Sequence, residues 1–409
     1  MKDLELYQQI LGLVAPWSVE TVRLNLSAHE VEVRVACAET IWGCPQCQAR
    51  MHIHGWEERR WRHLDSCQFE TILVAQVPQV KCPEHGTQTV AVPWAEKYAR
   101  FSRLFERFAI DVMLECSIAG ACQILGISWE EADGIKQRAV KRGLARKVPV
   151  IAARLCVDEK GMGHGQDYMT IVAKVDGEQT TVEYVGQERT QASLDAYWES
   201  LTTEQLRGVQ AVGMDMWDPY VQSTLDHVPG AASKIVHDPF HLVQYMNKAV
   251  NQVRQDEHRR LQAAGDDILK GTRQLWLYGL ENLPAHQAPR FDQIKDLNLQ
   301  TARAWGIKEV FRSFWLCDSI QTAGKYFDQW YGWAIRSRLK PVKKVARMCK
   351  AHLGNILTYF VHRLTNGPIE GLNNKIQGLI KKAYGYRNKE RFKTDIFFHL
   401  DGLDLYPTQ

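Results

Sequence analysis

Two short turns carry side chains of the types and spacing that hold a metal ion. Cys44-Pro45-Gln46-Cys47 and Cys82-Pro83-Glu84-His85 each place a ligand, two spacers and a ligand, and Cys82 follows Cys47 by 35 positions. Tetrahedral zinc suits this pattern, because two ligands three positions apart in a tight turn reach one ion and a second turn completes the shell. Such a site is closed and structural. Cys37, Cys67, His52, His54 and His63 lie nearby, and any of them could replace His85 as fourth ligand. The chain has ten cysteines in 409 residues, too few for a disulfide scaffold, which fits reduced thiols around one metal.

A second set of chemically capable residues is acidic. Asp158 ends the apolar run 154–157, Asp215 ends the run 210–214, and Glu370 stands near the start of a helix signalled by Asn366 as a cap and Pro368 in the first turn. The segments 154–158, 168–175 and 180–186 read as strands, 193–206 as a helix, 210–214 as a strand, 217–225 as a helix and 233–236 as a strand. This is a ribonuclease-H-like order, which sets the ends of its first and fourth strands side by side. Asp158 and Asp215 are then neighbours, and clustered carboxylates are costly unless divalent cations neutralise them. Asp218 and Asp238 are the rival carboxylates, Glu159 is adjacent to the set, and Asp238 and His241 are read as supports of the site. The distance from Asp215 to Glu370 exceeds what a strand and a helix need. A mostly helical insertion over 265–345, with Trp276, Trp305, Trp315, Trp330 and Trp333 in its core, fills it.

Upstream, 57–61 and 69–80 read as strands between the metal turns, so a zinc ribbon is expected there. Residues 101–115 have a helical rhythm. The small residues of 117–125, Gly126 and a Ser128–Glu131 capping box then predict a helix-turn-helix, whose second helix offers Lys136, Gln137, Arg138 and Lys141 to a major groove. An ordinary helical hairpin is the competing reading, since Glu130, Glu131 and Asp133 are poor neighbours for phosphate.

Charge supports a nucleic-acid partner. The chain carries a net +4, yet 336–393 holds fifteen lysines and arginines against two glutamates, a local balance of +13 that leaves the remainder at −9. Aromatic residues are interleaved with this basic block, as a polyphosphate partner would select. With 45% hydrophobic and 24% charged residues, the chain has the composition of an ordinary soluble protein. No apolar run approaches the roughly 20 residues of a membrane helix, and no signal peptide opens the chain, so a cytoplasmic location is expected.

Together the cysteine turns, the helix-turn-helix, Val157-Asp158-Glu159, Met214-Asp215-Met216, 238–241, 366–374 and 381–388 resemble the DDE transposases of bacterial insertion sequences, specifically the ISL-three group, over nearly the whole length. The resemblance implies a DNA transposase in which Asp158, Asp215 and Glu370 hold two magnesium ions, with manganese as a substitute. It would bind the terminal inverted repeats of its element and target DNA, as a homodimer on paired ends. Many DDE enzymes carry a lysine seven residues after the glutamate. Here Gln377 occupies that place, with Lys375 and Lys381 as substitutes and Lys382 and Arg387 as further DNA contacts. The second metal turn departs as well, ending in His85 where relatives often have cysteine.

The expected organisation is thus multidomain, α+β and α/β: a zinc ribbon (1–97), a helix-turn-helix (98–147), a ribonuclease-H-like catalytic core (148–264), the helical insertion (265–345), and the last part of the core (346–409). Two other classes compete: a DNA-binding regulator that does not cut, and a nuclease on the same catalytic fold that ignores terminal sequences.

Overall fold

The computed structural model describes residues 3–162, 167–177 and 179–408. The chain divides into two units, Met1–Lys147 with Phe397–Gln409, and Val148–Ile396.

The first unit begins with α1 (Asp3–Ile10) and a sheet of β1 (Trp17–Asn25), β2 (Glu30–Cys37), β3 (Ile41–Gly43), β4 (Arg50–Ser66), β5 (Phe69–Cys82) and β6 (Gly86–Thr89), in the order β1-β2-β5-β4-β3 with β6 on β5. Only the β2–β5 pairing is parallel. In β2, Val31, Val33 and Val35 are buried while the intervening Glu30, Glu32 and Arg34 are not, the period of a half-buried strand. Trp94 stands edge-on to both Trp17 and Trp61, at 5.0 and 5.4 Å, and fills the core beneath them. The β4–β5 hairpin turns at Cys67 and Gln68, both with positive φ (52° and 69°), the backbone that a tight two-residue hairpin demands.

Three helices follow: α2 (Arg103–Glu115), α3 (Ile118–Leu125) and α4 (Trp129–Arg146). Ser102, Ser117 and Ser128 cap them in turn, and Glu131 completes the capping box with Ser128 as anticipated. Between α3 and α4, Gly126 at φ +65° makes the turn in a conformation that costs other residues strain. After a long excursion the chain returns to this unit. Lys147 pairs with Asp401 at 2.8 Å, Arg146 with Asp404 at 2.9 Å, and the Tyr406 hydroxyl donates to Asp111 at 2.6 Å. Residues 397–409 therefore belong with the amino-terminal unit, which corrects their placement in the catalytic core.

The second unit holds β7 (Arg154–Gly161), β8 (Tyr168–Asp176), β9 (Gln179–Gln187), α5 (Gln191–Glu199), α6 (Thr203–Gly208), β10 (Ala211–Met214), α7 (Asp218–His227) and β11 (Ile235–His237). The sheet order is β11-β10-β7-β8-β9, with β7, β8 and β9 antiparallel and β7, β10 and β11 parallel. The single helix anticipated over 193–206 is two, because Thr202 caps a new start with its own capping box to Gln205.

Helices dominate the rest: α8 (Pro239–Ala263), α9 (Arg273–Leu277), α10 (Ala288–Lys295), α11 (Gln300–Ser313), α12 (Ile320–Arg336), α13 (Lys340–Ala351), α14 (Leu353–Leu357), α15 (Tyr359–His362), α16 (Gly367–Lys382) and α17 (Lys389–Leu400). The helical region has no break at 265, since Leu242 and Met246 of α8 share one core with Trp276, Phe311 and Trp330. Trp305 and Trp315 pack against that core, whereas Trp333 is 40% exposed and is not part of it.

Candidate catalytic and metal sites

The metal site is built by two sheet ends. β3 leads directly into Cys44, and the β5–β6 turn carries Cys82 and His85. The ligand atoms of Cys44, Cys47, Cys82 and His85 all lie within 4.8 Å of one another. The Sγ atoms of Cys47 and Cys82 are 3.6 Å apart, and His85 Nδ1 is 3.4 Å from Cys82 Sγ and 3.9 Å from Cys44 Sγ. A tetrahedron with Zn–S bonds of 2.3 Å has edges of about 3.8 Å, so the four residues fit zinc. Backbone N–H groups of Cys47 and Gln46 draw the Cys44 thiol down to about 7, toward the thiolate that binds metal. None of the five alternative ligands joins this cluster. Buried His63 meets the Ser102 hydroxyl at 2.7 Å, Cys37 faces the Glu39 carbonyl, and Cys67 is exposed at the hairpin turn.

In the other unit, parallel β7 and β10 pair Cys156 with Gly213. Asp158 and Asp215 each lie two residues beyond that step, Asp158 inside β7, which continues to Gly161 rather than ending at the aspartate as expected, and Asp215 just past the end of β10. Asp158 accepts from the Glu159 N–H at 2.9 Å through one oxygen and from Asn373 Nδ2 at 2.7 Å through the other. Asp215 accepts from the Met216 N–H at 2.7 Å and faces the Tyr245 hydroxyl at 3.5 Å.

The Asn373 bond ties α16, and Glu370 one turn earlier on the same face, to Asp158 of β7. Buried Asp238 reinforces this junction. It caps α8 through the His241 N–H and receives the Asn366 N–H at 3.0 Å, fixing where α16 begins. The Asn366 side chain makes no capping bond, contrary to expectation. It lies buried over Gly213, where a Cβ would come within 2.9 Å of Asn366 Oδ1, so glycine allows the approach.

Burial holds Asp158, Glu159 and Glu370 above the usual carboxylate range. The Asp238 carboxylate, 3.2 Å from Nδ1, and the charges of Asp215 and Asp158 lift His241 to about 9, which leaves it cationic at neutral pH. The site is thus an acidic cluster with one imidazolium among it, a donor set that suits hard divalent cations. Its carboxylates do not converge on a single point as the zinc ligands do. Among the described residues the cysteine–histidine set is the one group of three or more ligand atoms that close together. Glu159 pairs with Arg189 at 3.1 Å, and Arg189 lies over the Trp217 ring at 4.2 Å. Asp218 is an exposed first-turn residue of α7.

Family models match each part in order. One described as "Transposase" matches residues 155–396, one described as "zinc-finger of transposase IS204/IS1001/IS1096/IS1165" matches 41–85, and one described as "Helix-turn-helix domain of transposase family ISL3" matches 90–140. The chain belongs to the ISL3 family of transposases. The transposase for insertion sequence element IS1001 of Bordetella parapertussis is 25% identical over 354 residues, covering 85% of this chain and 86% of its own. The transposase for IS1557 of Mycobacterium tuberculosis is 24% identical over 422 residues, covering 95% and 94%.

In the transposase, the proposed reader helix α4 differs from its sequence reading at two residues. Lys136 is not exposed. It lies at 5% exposure on the stripe of Ala132, Ile135, Ala139 and Val140, with its ammonium 5.7 Å from the Phe398 ring centre. Arg138 donates to buried Glu106, its Nε at 2.9 Å. Gln137 and Lys141 remain at the surface, as do Lys375, Lys381 and Arg387, while Lys382 is half-buried. No helix among the described residues is long and apolar enough to cross a membrane. Sequence reasoning missed Asn373 and Tyr245. Asn373 was within reach, because three residues beyond Glu370 is one helical turn.

Proposed function

We propose that this transposase binds the terminal inverted repeats of its own element and performs divalent-metal-dependent cleavage and strand transfer on a ribonuclease-H-like fold. Asp158, Asp215 and Glu370 are the ligands of two magnesium ions, and the DNA ends are paired by a homodimer. The observation that carries this reading is the parallel pairing of β7 with β10, which sets Asp158 and Asp215 on neighbouring strands, with α16 tied to Asp158 through Asn373. A pair of magnesium ions supplies activation of an oxygen nucleophile and neutralisation of the leaving oxygen. The chain's own groups set up that chemistry. Asn373 and the Glu159 N–H orient Asp158, Asp238 fixes the start of the Glu370 helix, and the His241 imidazolium offsets part of the clustered negative charge. The nucleophile is water or a DNA 3′-hydroxyl, so no protein side chain becomes covalently attached.

The test is incubation of a labelled duplex carrying an element end with the full chain, with and without magnesium. Strand cleavage at the end in magnesium alone is expected, and binding without any cleavage would overturn the reading in favour of a regulator. Within this reading α4 contacts end DNA through Gln137 and Lys141. Lys141→Ala should reduce the salt slope of end binding by about 0.9, the share of one phosphate contact. Lys136→Ala should instead lower the unfolding temperature, since its side chain is packed. An unchanged slope for Lys141→Ala would remove α4 as the reader.

A further inference from the structure

The helix α13 is polarised in a way that the site does not use. Over its 12 residues Val342, Val345, Ala346 and Cys349 are buried, and α13 packs on α8, the helix that Asp238 caps. Lys340, Lys344 and Arg347 lie four and three positions apart on the opposite face, all exposed, with half-buried Lys343 beside them and exposed Arg336 and Arg338 just before the helix. Among the described residues none of these six forms an ion pair, whereas Lys350, at the end of the helix, pairs with Asp328 at 3.2 Å. From Lys340 to Arg347 a stripe about 10 Å long thus carries concentrated positive charge that is not offset by ion pairs.

We propose that the exposed face of α13 is a docking surface for the target duplex, the DNA into which the element is inserted. The proposal rests on the transposase reading above and adds a partner surface to it. B-DNA presents one negative charge per about 1.7 Å of its axis, so a straight row of ammonium and guanidinium groups meets a complementary partner. Lacking asparagine, glutamine and carboxylates, the row has the means to contact guanine but not to tell the other bases apart, and its phosphate contacts, the ones a straight row of cations makes, carry no sequence information. DNA held this way is selected without regard to its sequence, as a target must be, whereas an element end has to be read.

The experiment uses the full chain and its Lys340→Ala, Lys344→Ala, Arg347→Ala triple variant. Three measurements are made: binding to a random-sequence duplex against salt, cleavage of an end duplex, and strand transfer from a pre-cleaved end into plasmid DNA. In the variant the salt slope for random duplex should fall by about 2.7, the share of three phosphate contacts, and strand transfer should fall by about tenfold or more. End cleavage should stay at the wild-type level. The Lys340→Arg, Lys344→Arg, Arg347→Lys variant keeps the charge and should behave as wild type in all three. An unchanged slope in the alanine variant, or end cleavage that falls together with strand transfer, would overturn the proposal. A wild-type protein that cleaves no ends would instead refute the underlying reading, and the random-duplex slope would still judge the surface.

Discussion

Asp215→Asn should abolish end cleavage and strand transfer while leaving end binding within about twofold of wild type, because the amide keeps the shape of the side chain and removes the charge a divalent ion requires. The amide oxygen can still accept from the Met216 N–H while the amide nitrogen donates to the Tyr245 hydroxyl oxygen, so the strand end has no cause to move. The same result is expected for Asp158→Asn and Glu370→Gln. Without metal, burial pushes Asp158 and Glu370 toward the protonated form, and a bound cation reverses that preference. Activity should therefore fall as pH is lowered through the carboxylate range and recover with higher magnesium. Glu159→Gln breaks an ion pair with Arg189 and Asp218→Asn changes an exposed helix end, so both should retain measurable cleavage. The assay is cleavage of a labelled end duplex in magnesium beside a gel shift on the same preparations. A fully active Asp215→Asn protein would move the site to another carboxylate.

Of the candidate carboxylate site, the elements that position it were legible in the sequence. The apolar runs 154–157 and 210–214 do form strands and pair in parallel, although β7 runs on past Asp158 to Gly161 because β8 continues to pair with it, while Asp215 does follow the last residue of β10. The junction that holds Glu370 was not legible. It depends on Asp238 receiving a backbone N–H 128 positions away and on Gly213 giving room to Asn366, and no local pattern encodes such contacts. The sheet ahead of the zinc ligands was only half visible. β2 alternates cleanly and could have been read, while β1 lies at the sheet edge with little of it buried, so its sequence lacks the alternation that one buried face imposes.

The DNA readers show the opposite error. Lys136 and Arg138 were assigned from charge, yet Lys136 falls four residues after Ala132 and four before Val140, on the apolar stripe of α4. That periodicity was in the sequence and outweighs the charge of a single lysine, whose long stem packs while its head finds an aromatic ring. Arg138 is different, since its partner Glu106 sits on α2, 32 positions earlier, and its fully buried carboxylate needs a cation. Charge alone does not separate a surface contact from an internal one until the opposing element is known. α13 is the converse case, where periodicity and charge agree.

Cys82→Ser should cost the protein its zinc and with it the order of the metal end of the ribbon, and this is the second large effect expected. Wild-type protein should contain about one zinc per chain, held by three sulfurs and one nitrogen that the sheet already brings within a tetrahedral shell. Structural zinc of this kind contributes on the order of 10 kcal/mol to the fold it closes, far more than the turns at Cys44 and Cys82 gain from their own hydrogen bonds. Losing one thiolate leaves three ligands and an open position, so affinity falls and the turns separate. Trp42 lies in β3 two residues before Cys44 and its ring is 5.9 Å from that of Trp17, so tryptophan emission should report the change directly. The effect should stay local to the metal end, because Val33, Val35, Leu73 and Val77 form a core without the metal. Elemental analysis and emission spectra of Cys82→Ser and of chelator-treated wild type should agree. If the serine variant kept full zinc and an unchanged spectrum, the ligand set would have to be drawn from other residues.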